Sequence, residues 1–282
     1  MIVTRFAPSP TGPLHLGHVH AALQAWKPAR AEAGGRVLLR VEDIDPARCR
    51  PAFTAGILED LAWLGLVPDG PVRVQSAHLG DYRAALDGLT TRRLLYPCFC
   101  TRSAIAREVA ASAAAPHGPD GAPHYPGTCR RLSPENRTLR IGAGEPYVLR
   151  LDMAEALSRV PGPLTYEEQG AGTITCDPAA FGDAVLARKD VPASYMLCAT
   201  YDDALQGVTL VTRGDDLRAA TDLQRLLQVL MGWPTPRYRH FPLLRDAAGR
   251  RLAKRDGAEG VRALREAGVT AAEVLRRAER AA

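Results

Sequence analysis

The sequence predicts an α/β protein built on a parallel sheet. Two observations lead there. Near the N-terminus, short apolar runs alternate with helical patterns in the order strand, helix, strand, helix. The chain also has 282 residues, 46% of them hydrophobic, enough for one large domain or two modest ones with a sizeable core.

Residues 2–6 read as a short buried strand, and the turn-rich segment 7–13 follows it. From 16 to 33 the pattern is helical, with Ala22, Leu23, Trp26 and Ala29 on one face and Gly34-Gly35 as the stop. Residues 36–41 (RVLLRV) form a second strand and run into the acidic turn 42–46. An amphipathic helix over 52–66 carries Ile57, Leu58, Leu61 and Leu64. The stretch 97–130 breaks the rhythm with clustered cysteines and an Ala/Pro/Gly/His-rich run at 110–127, so it reads as a loop or small inserted module. Strand-like runs recur at 147–151, 184–188 and 208–213. A helix spans 215–231, stopped by Gly232 and Pro234. The tail from 258 is Arg-rich and helical, with Thr270-Ala-Ala-Glu273 as a capping box. The resulting division is 1–96 and part of 131–213 for the two halves of the main domain, 97–130 for the insertion (continuing into 131–213), and 214–282 for a helical region.

Lys and Arg number 36 against 31 acidic residues, a net charge of +5 that leans towards an anionic partner, although solvated arginines alone produce the same excess. No apolar run reaches the ~20 residues of a membrane span, and the first residues lack the apolar core of a secretory signal. A cytoplasmic monomer with no membrane contact is the expectation.

The string 9–18 lies between the first strand and the first helix, where free N–H groups and the helix dipole favour a phosphate. Gly12 and Gly17 permit close backbone approach. His15 and His18 are three apart, so they share a face and can stabilise charge on ATP phosphates. No G-x-x-x-x-G-K string is present, which excludes a Walker-type loop. The full string RFAPSPTGPLHLGH (5–18) closely resembles the HIGH signature of class I aminoacyl-tRNA synthetases in its glutamyl/glutaminyl form, with Leu16 for Ile. The resemblance implies a Rossmann-like catalytic domain with a parallel sheet, a small zinc-binding insertion and a short helical C-terminal region. RLAKR (251–255) resembles the KMSKS loop of the same family. Lys254 matches its second lysine, Arg251 replaces the first, and Ala253 replaces the serine. The implied catalytic residues are His15, His18 and Lys254, with His15, Gly17, His18 and Lys254 binding ATP, which carries Mg²⁺.

A glutamate pocket needs two cations for the carboxylates and an acid for the ammonium. Arg5 and Arg213 supply the cations, Glu42 the acid, and Tyr195 a ring wall with a hydroxyl. These four, with Ala7 and Ser9, correspond to L-glutamate-binding positions in the resembling family. Which arginine takes which carboxylate stays open. Asp43, Asp45, Asp202 and Asp203 read equally as substrate contacts or as loop carboxylates that cap helices or pair with Arg, and are left out of the site.

Cys98, Cys100 and Cys129 offer three thiolates, and clustered cysteines in a cytosolic chain read as metal ligands. Zn²⁺ favours four ligands. By residue chemistry alone the fourth is His124 or His117. The resembling subfamily places a tyrosine four residues before the last cysteine, which favours Tyr125 and keeps His124 as the rival. Such a zinc is structural.

Few residues follow Arg255, whereas glutamyl-tRNA synthetases carry a large anticodon-binding part there. With the Cys-x-Cys…Tyr-x₃-Cys pattern, the chain resembles the glutamyl-Q tRNA(Asp) synthetase family. That resemblance implies tRNA-independent activation of glutamate and its transfer to the queuosine base of tRNA(Asp). The alternatives are a truncated glutamyl-tRNA synthetase charging the 3′ end of tRNA(Glu), and a non-catalytic tRNA-binding paralogue. The basic tail reads equally as an RNA contact or a solvated helical face.

Overall fold

The computed structural model describes residues 1–110, 118, 119, 121, 123–244 and 260–280. Strand β1 (Val3–Phe6), helix α1 (Leu16–Arg30), strand β2 (Arg36–Val41) and helix α2 (Pro51–Trp63) follow in the expected order. α1 stops at Arg30 rather than 33 and tolerates Pro28 inside its last turn. β1 pairs with β2 in parallel, Val3 opposite Arg36, and the short β3 (Arg73–Val74) pairs in parallel on the far side of β2. After α3 (Leu79–Thr91) comes a three-stranded antiparallel sheet of β4 (Leu95–Cys98), β5 (Val148–Leu151) and β8 (Val185–Ala187). This sheet lies outside the parallel plan read from the sequence. It carries the cysteine module, together with α4 (Arg102–Ala110) and α5 (Pro134–Gly142).

The chain then builds α6 (Met153–Ser158), the hairpin β6 (Thr165–Glu168) and β7 (Gly172–Thr175), α7 (Tyr195–Leu205), and β9 (Leu210–Gly214). α8 (Ala220–Met231) leads to β10 (Arg237–Phe241), which pairs in parallel with β9 and touches β6. The 214–282 region read as helical therefore contains a strand of the parallel sheet. The helix expected over 215–231 is split: Asp215–Leu217 is a tight 3-10 turn, with Arg218 N–H donating to the Asp215 carbonyl, and the α-helix proper begins at Ala220. Gly232 ends it with φ +66°, the left-handed conformation that glycine adopts without cost.

β1 lies beside β9. Thr209 N–H donates to the Val3 carbonyl (2.9 Å), and Arg5 Nη1 donates to the Thr212 carbonyl (3.0 Å), so the two strands run in the same direction. The order across the molecule is thus β3-β2-β1-β9-β10-β6-β7. One apolar core joins β1, β2, α1 and α2 to the C-terminal α9 (Val261–Glu266) and α10 (Ala271–Arg280), through buried Val261, Leu264, Val274 and Ala278. A second core joins α3, α6, α7 and α8 to the antiparallel sheet. The tail helices therefore pack on the half that contains β1 and β2. Of the capping box, Glu273 N–H donates to Thr270 Oγ1 (3.3 Å), while the Glu273 carboxylate turns forward to Arg276 and Arg277. Arg251, Ala253, Lys254 and His117 lie outside the described residues.

Candidate active site

In open α/β sheets, ligands bind at the carboxyl ends of the strands where the strand order reverses. Here that point lies between β1 and β9, and an open cleft of about 620 Å³ occupies it. Every described residue singled out for ATP or glutamate lines this one cleft: Arg5, Ala7 and Ser9 after β1, His15, Gly17 and His18 at the start of α1, Glu42 after β2, Tyr195 at the start of α7, and Arg213 on β9. Gly214 forms part of the wall, and a Cβ there would come within 2.4 Å of Leu243 Cδ2. A smaller cavity of about 300 Å³ adjoins it, sharing Ser9, Thr11, Glu42 and Tyr195 and bounded by Asp45, Arg48 and Arg188.

His15 is the N-cap of α1, in extended conformation, and His18 is in its first turn, so the pair sits at the helix mouth. Gly17 N–H donates to His15 Nδ1 (3.1 Å), and His15 N–H donates to His18 Nδ1 (3.2 Å). A nitrogen that accepts carries no proton, so the neutral rings hold their protons on Nε2. The rings lie 3.8 Å apart. The helix start thus has two imidazole N–H donors beside its own partial positive charge.

Arg5 is buried; its Nε donates to Asp203 (2.9 Å) and Nη1 to the Thr212 carbonyl, leaving Nη2 without a partner among the described residues. Asp203 is shared with the fully buried Arg40 (2.6 Å), whose Nη2 donates to Glu42 Oε1 (3.1 Å). Burial pushes the Glu42 carboxyl up against the pull of Arg40 and Arg5. Burial also opposes the charge on Asp203, but the two guanidiniums more than offset it and hold that carboxyl below the usual range. Asp202, beside it on α7, bonds Arg73, Gln75 and Tyr82. Arg213 differs. Its Nε donates to His240 (3.1 Å), Nη1 to Gln224 (2.6 Å) and Nη2 to Thr221, all neutral acceptors when His240 is unprotonated. Among the described residues no carboxylate bonds this buried cation. A buried charge ordinarily has a counter-charge, so the arrangement suits an incoming carboxylate.

The cysteine module lies apart from the cleft. The Sγ atoms of Cys98, Cys100 and Cys129 lie within 4.8 Å of one another, a spacing that could hold a metal ion. Tyr125 Oη is 3.3 Å from Cys100 Sγ, and its ring lies 4.2 Å below the Arg150 guanidinium. The rival His124 turns away, its Nε2 bonding the Ala180 carbonyl (2.7 Å). The donor set of three thiols and one phenol fits a tetrahedral thiophilic ion.

Residues 1–280 match the family described as tRNA synthetases class I (E and Q), catalytic domain. The chain belongs to this family. It is 48% identical to the glutamyl-Q tRNA(Asp) synthetase of Rhodobacter capsulatus, over 98% of this chain and 99% of that one. It is 45% identical to the protein of the same name from Nitratidesulfovibrio vulgaris, over 97% and 84%. Among solved structures it resembles a glutamate tRNA ligase of Elizabethkingia meningosepticum in complex with its amino acid, with a TM-score of 0.75 and 28% identity; this similarity covers 91% of this chain and 52% of that one, so the chain spans about half that ligase.

Class I synthetases use ATP, and behind the residues that line this cleft stand others that the sequence reading left out or passed over. Asp202 and Asp203 are not loop carboxylates; they sit on α7 and are buried. The pairing with arginine foreseen for them does occur. Asp45 likewise pairs with Arg48, while Asp43 caps Ser76. Arg40 was the available signal, since an arginine inside the apolar strand RVLLRV must find buried acids. His240, Thr221 and Gln224 offered none. Among the described residues no helix is long and apolar enough to cross a membrane.

Proposed function

We propose that this chain activates L-glutamate with ATP, without tRNA, and transfers the glutamyl group to the queuosine base of tRNA(Asp). The observation that carries the reading is the convergence, in one cleft, of a helix-mouth histidine pair with Arg5, Arg213 and Glu42. The names of the relatives in Rhodobacter capsulatus and Nitratidesulfovibrio vulgaris support the acceptor. Arg213, which no carboxylate bonds among the described residues, binds one carboxylate of glutamate, and Nη2 of Arg5 assists the other. Glu42 uses only Oε1 among the described residues, so Oε2 is available to the substrate ammonium. Ala7, Ser9 and Tyr195 complete the wall.

A glutamate carboxylate oxygen attacks the α-phosphorus of ATP, and pyrophosphate leaves. His15 and His18 donate from Nε2 to the phosphate oxygens as charge builds, next to Gly17 where backbone and phosphate can approach. The segment carrying Lys254 leaves the described structure at Leu244, which lines the cleft, and re-enters at Gly260, which bridges to His15. In this reading the ammonium of Lys254, which lies in sequence between these two points, neutralises the leaving pyrophosphate. In the second step a hydroxyl of the acceptor attacks the glutamyl carbonyl and AMP departs; the adjoining cavity gives the acceptor an approach. Mg²⁺ enters with ATP. Glutamate-dependent ATP–pyrophosphate exchange without tRNA tests the first step, and its absence would refute tRNA-independent activation. The protein acts as a cytoplasmic monomer in this reading.

Cys98, Cys100, Cys129 and Tyr125 hold one structural Zn²⁺, which ties the insertion to β4. Purified protein is expected to carry about one zinc per chain, and Cys100→Ser to lose it, measured by elemental analysis. Full zinc content in that variant would remove the assignment.

A further inference from the structure

The wall behind Arg213 contains a hydrogen-bonded chain that the reaction does not use. His240, on β10, has a fully buried side chain between Glu168 of β6 and Arg213 of β9. Glu168 accepts twice, from His240 N–H through Oε1 (2.8 Å) and at Nδ1 through Oε2 (2.8 Å). On the opposite side, His240 Nε2 faces Arg213 Nε–H at 3.1 Å and the Thr221 hydroxyl at 3.2 Å. A guanidinium has donors only. The contact therefore requires a lone pair on Nε2, which fixes the ring as neutral with its proton on Nδ1, where Glu168 takes it. An imidazolium would set N–H against N–H and place two cations together in a buried site.

We propose that His240 is a positioning residue: its unprotonated Nε2, held in that tautomer by Glu168, fixes the Arg213 guanidinium for a substrate carboxylate while leaving its charge uncompensated. The proposal rests on the reading of Arg213 as a carboxylate ligand. A carboxylate in place of His240 would neutralise Arg213 and compete with the substrate. A neutral acceptor orients the guanidinium without doing so, and the second proton on each Nη remains for the ligand. Glu168 supplies the negative charge one ring away, where it sets the tautomer; Arg218 stands 3.7 Å from it. The other titratable groups facing the imidazole are the Tyr238 ring, stacked at 6.1 Å, and the Tyr166 ring at 6.3 Å. Burial first, and then the charge of Arg213, hold the imidazole below its ordinary value of 6.5 against the pull of Glu168. The neutral form is thus favoured to lower pH than in a free imidazole, and the KM for glutamate should rise only on acidification.

The test is ATP–pyrophosphate exchange at varied glutamate for His240→Asn, His240→Gln and Arg213→Gln, with the full chain. Asn keeps a donor near Nδ1 and loses the acceptor facing Arg213; Gln restores an acceptor near Nε2. His240→Asn is expected to raise the KM for glutamate about tenfold, the cost of one hydrogen bond to a charged group, with kcat within about threefold of wild type. His240→Gln should recover most of the loss. An unchanged KM in His240→Asn, with a raised KM in Arg213→Gln, overturns the role of His240 alone. An unchanged KM in Arg213→Gln overturns the reading of Arg213 itself. Where the variants fail to fold, ¹H–¹⁵N spectra of the wild-type imidazole decide. A proton on Nδ1 and none on Nε2 at neutral pH is expected; the opposite tautomer or an imidazolium refutes the proposal.

Discussion

His18→Ala and Lys254→Ala are each expected to lower glutamate-dependent ATP–pyrophosphate exchange by a factor of about 10²–10³, the range for losing one preorganised charge-stabilising donor. The two losses have different structural costs. His18 accepts the His15 backbone N–H at Nδ1, so its removal also frees the N-cap of α1. Helix capping is worth about 1 kcal/mol, so a fall in melting temperature should accompany the loss of rate. The His18→Asn variant separates the two effects. Its side-chain oxygen can still take the His15 N–H, but it has no donor where Nε2 stood. The expected result is near-wild-type stability with most of the rate still missing. Wild-type exchange in both alanine variants would refute the roles assigned to these residues.

Asp203→Asn is expected to destabilise the protein by about 3–5 kcal/mol, measured by urea unfolding at neutral pH, because it leaves two buried guanidiniums without their shared counter-charge. Arg5 and Arg40 both bond Asp203 Oδ1, and both are at most 5% exposed. Against a typical total of about 5–15 kcal/mol, that loss is a large fraction. The acid limb of the stability curve should change as well. A carboxyl whose folded value is depressed stabilises the fold above its unfolded value, near 3.8, and that contribution disappears as pH falls through the folded value. The variant should therefore lose stability at pH 7 yet show a shallower decline on acidification. A urea midpoint like that of wild type would show that the Arg5–Asp203–Arg40 chain does not hold the cleft together.

The site was more legible in the sequence than the frame that supports it. The string from Arg5 to His18 carries the phosphate mouth because the needed groups are local: a strand end, a turn and a helix start within fourteen residues. Arg213 and Glu42 were legible only through family strings, since their relation to Arg5 depends on strands that meet across the whole chain. The Arg40–Asp203 pair joins residues 163 apart, and no local pattern reports such a pairing. For the same reason β10 was missed. Arg-Tyr-Arg-His-Phe looks polar because three of its five residues are Arg or His; only Tyr238 and Phe241 enter the apolar core, while the His240 side chain is buried in a polar network. The strand-like runs 147–151 and 184–188 did mark β5 and β8, but the four-residue β4 and the antiparallel pairing that joins the three strands into one sheet were not legible, because that pairing links distant segments such as Cys98 and Val148.

The most direct measurement is glutamate incorporation into two pools of purified tRNA(Asp), one carrying queuosine and one lacking it, with ATP and this protein alone. The account predicts labelled tRNA only in the queuosine-containing pool, with tRNA(Glu) inert. Equal labelling of both pools, or labelling of tRNA(Glu), would contradict it.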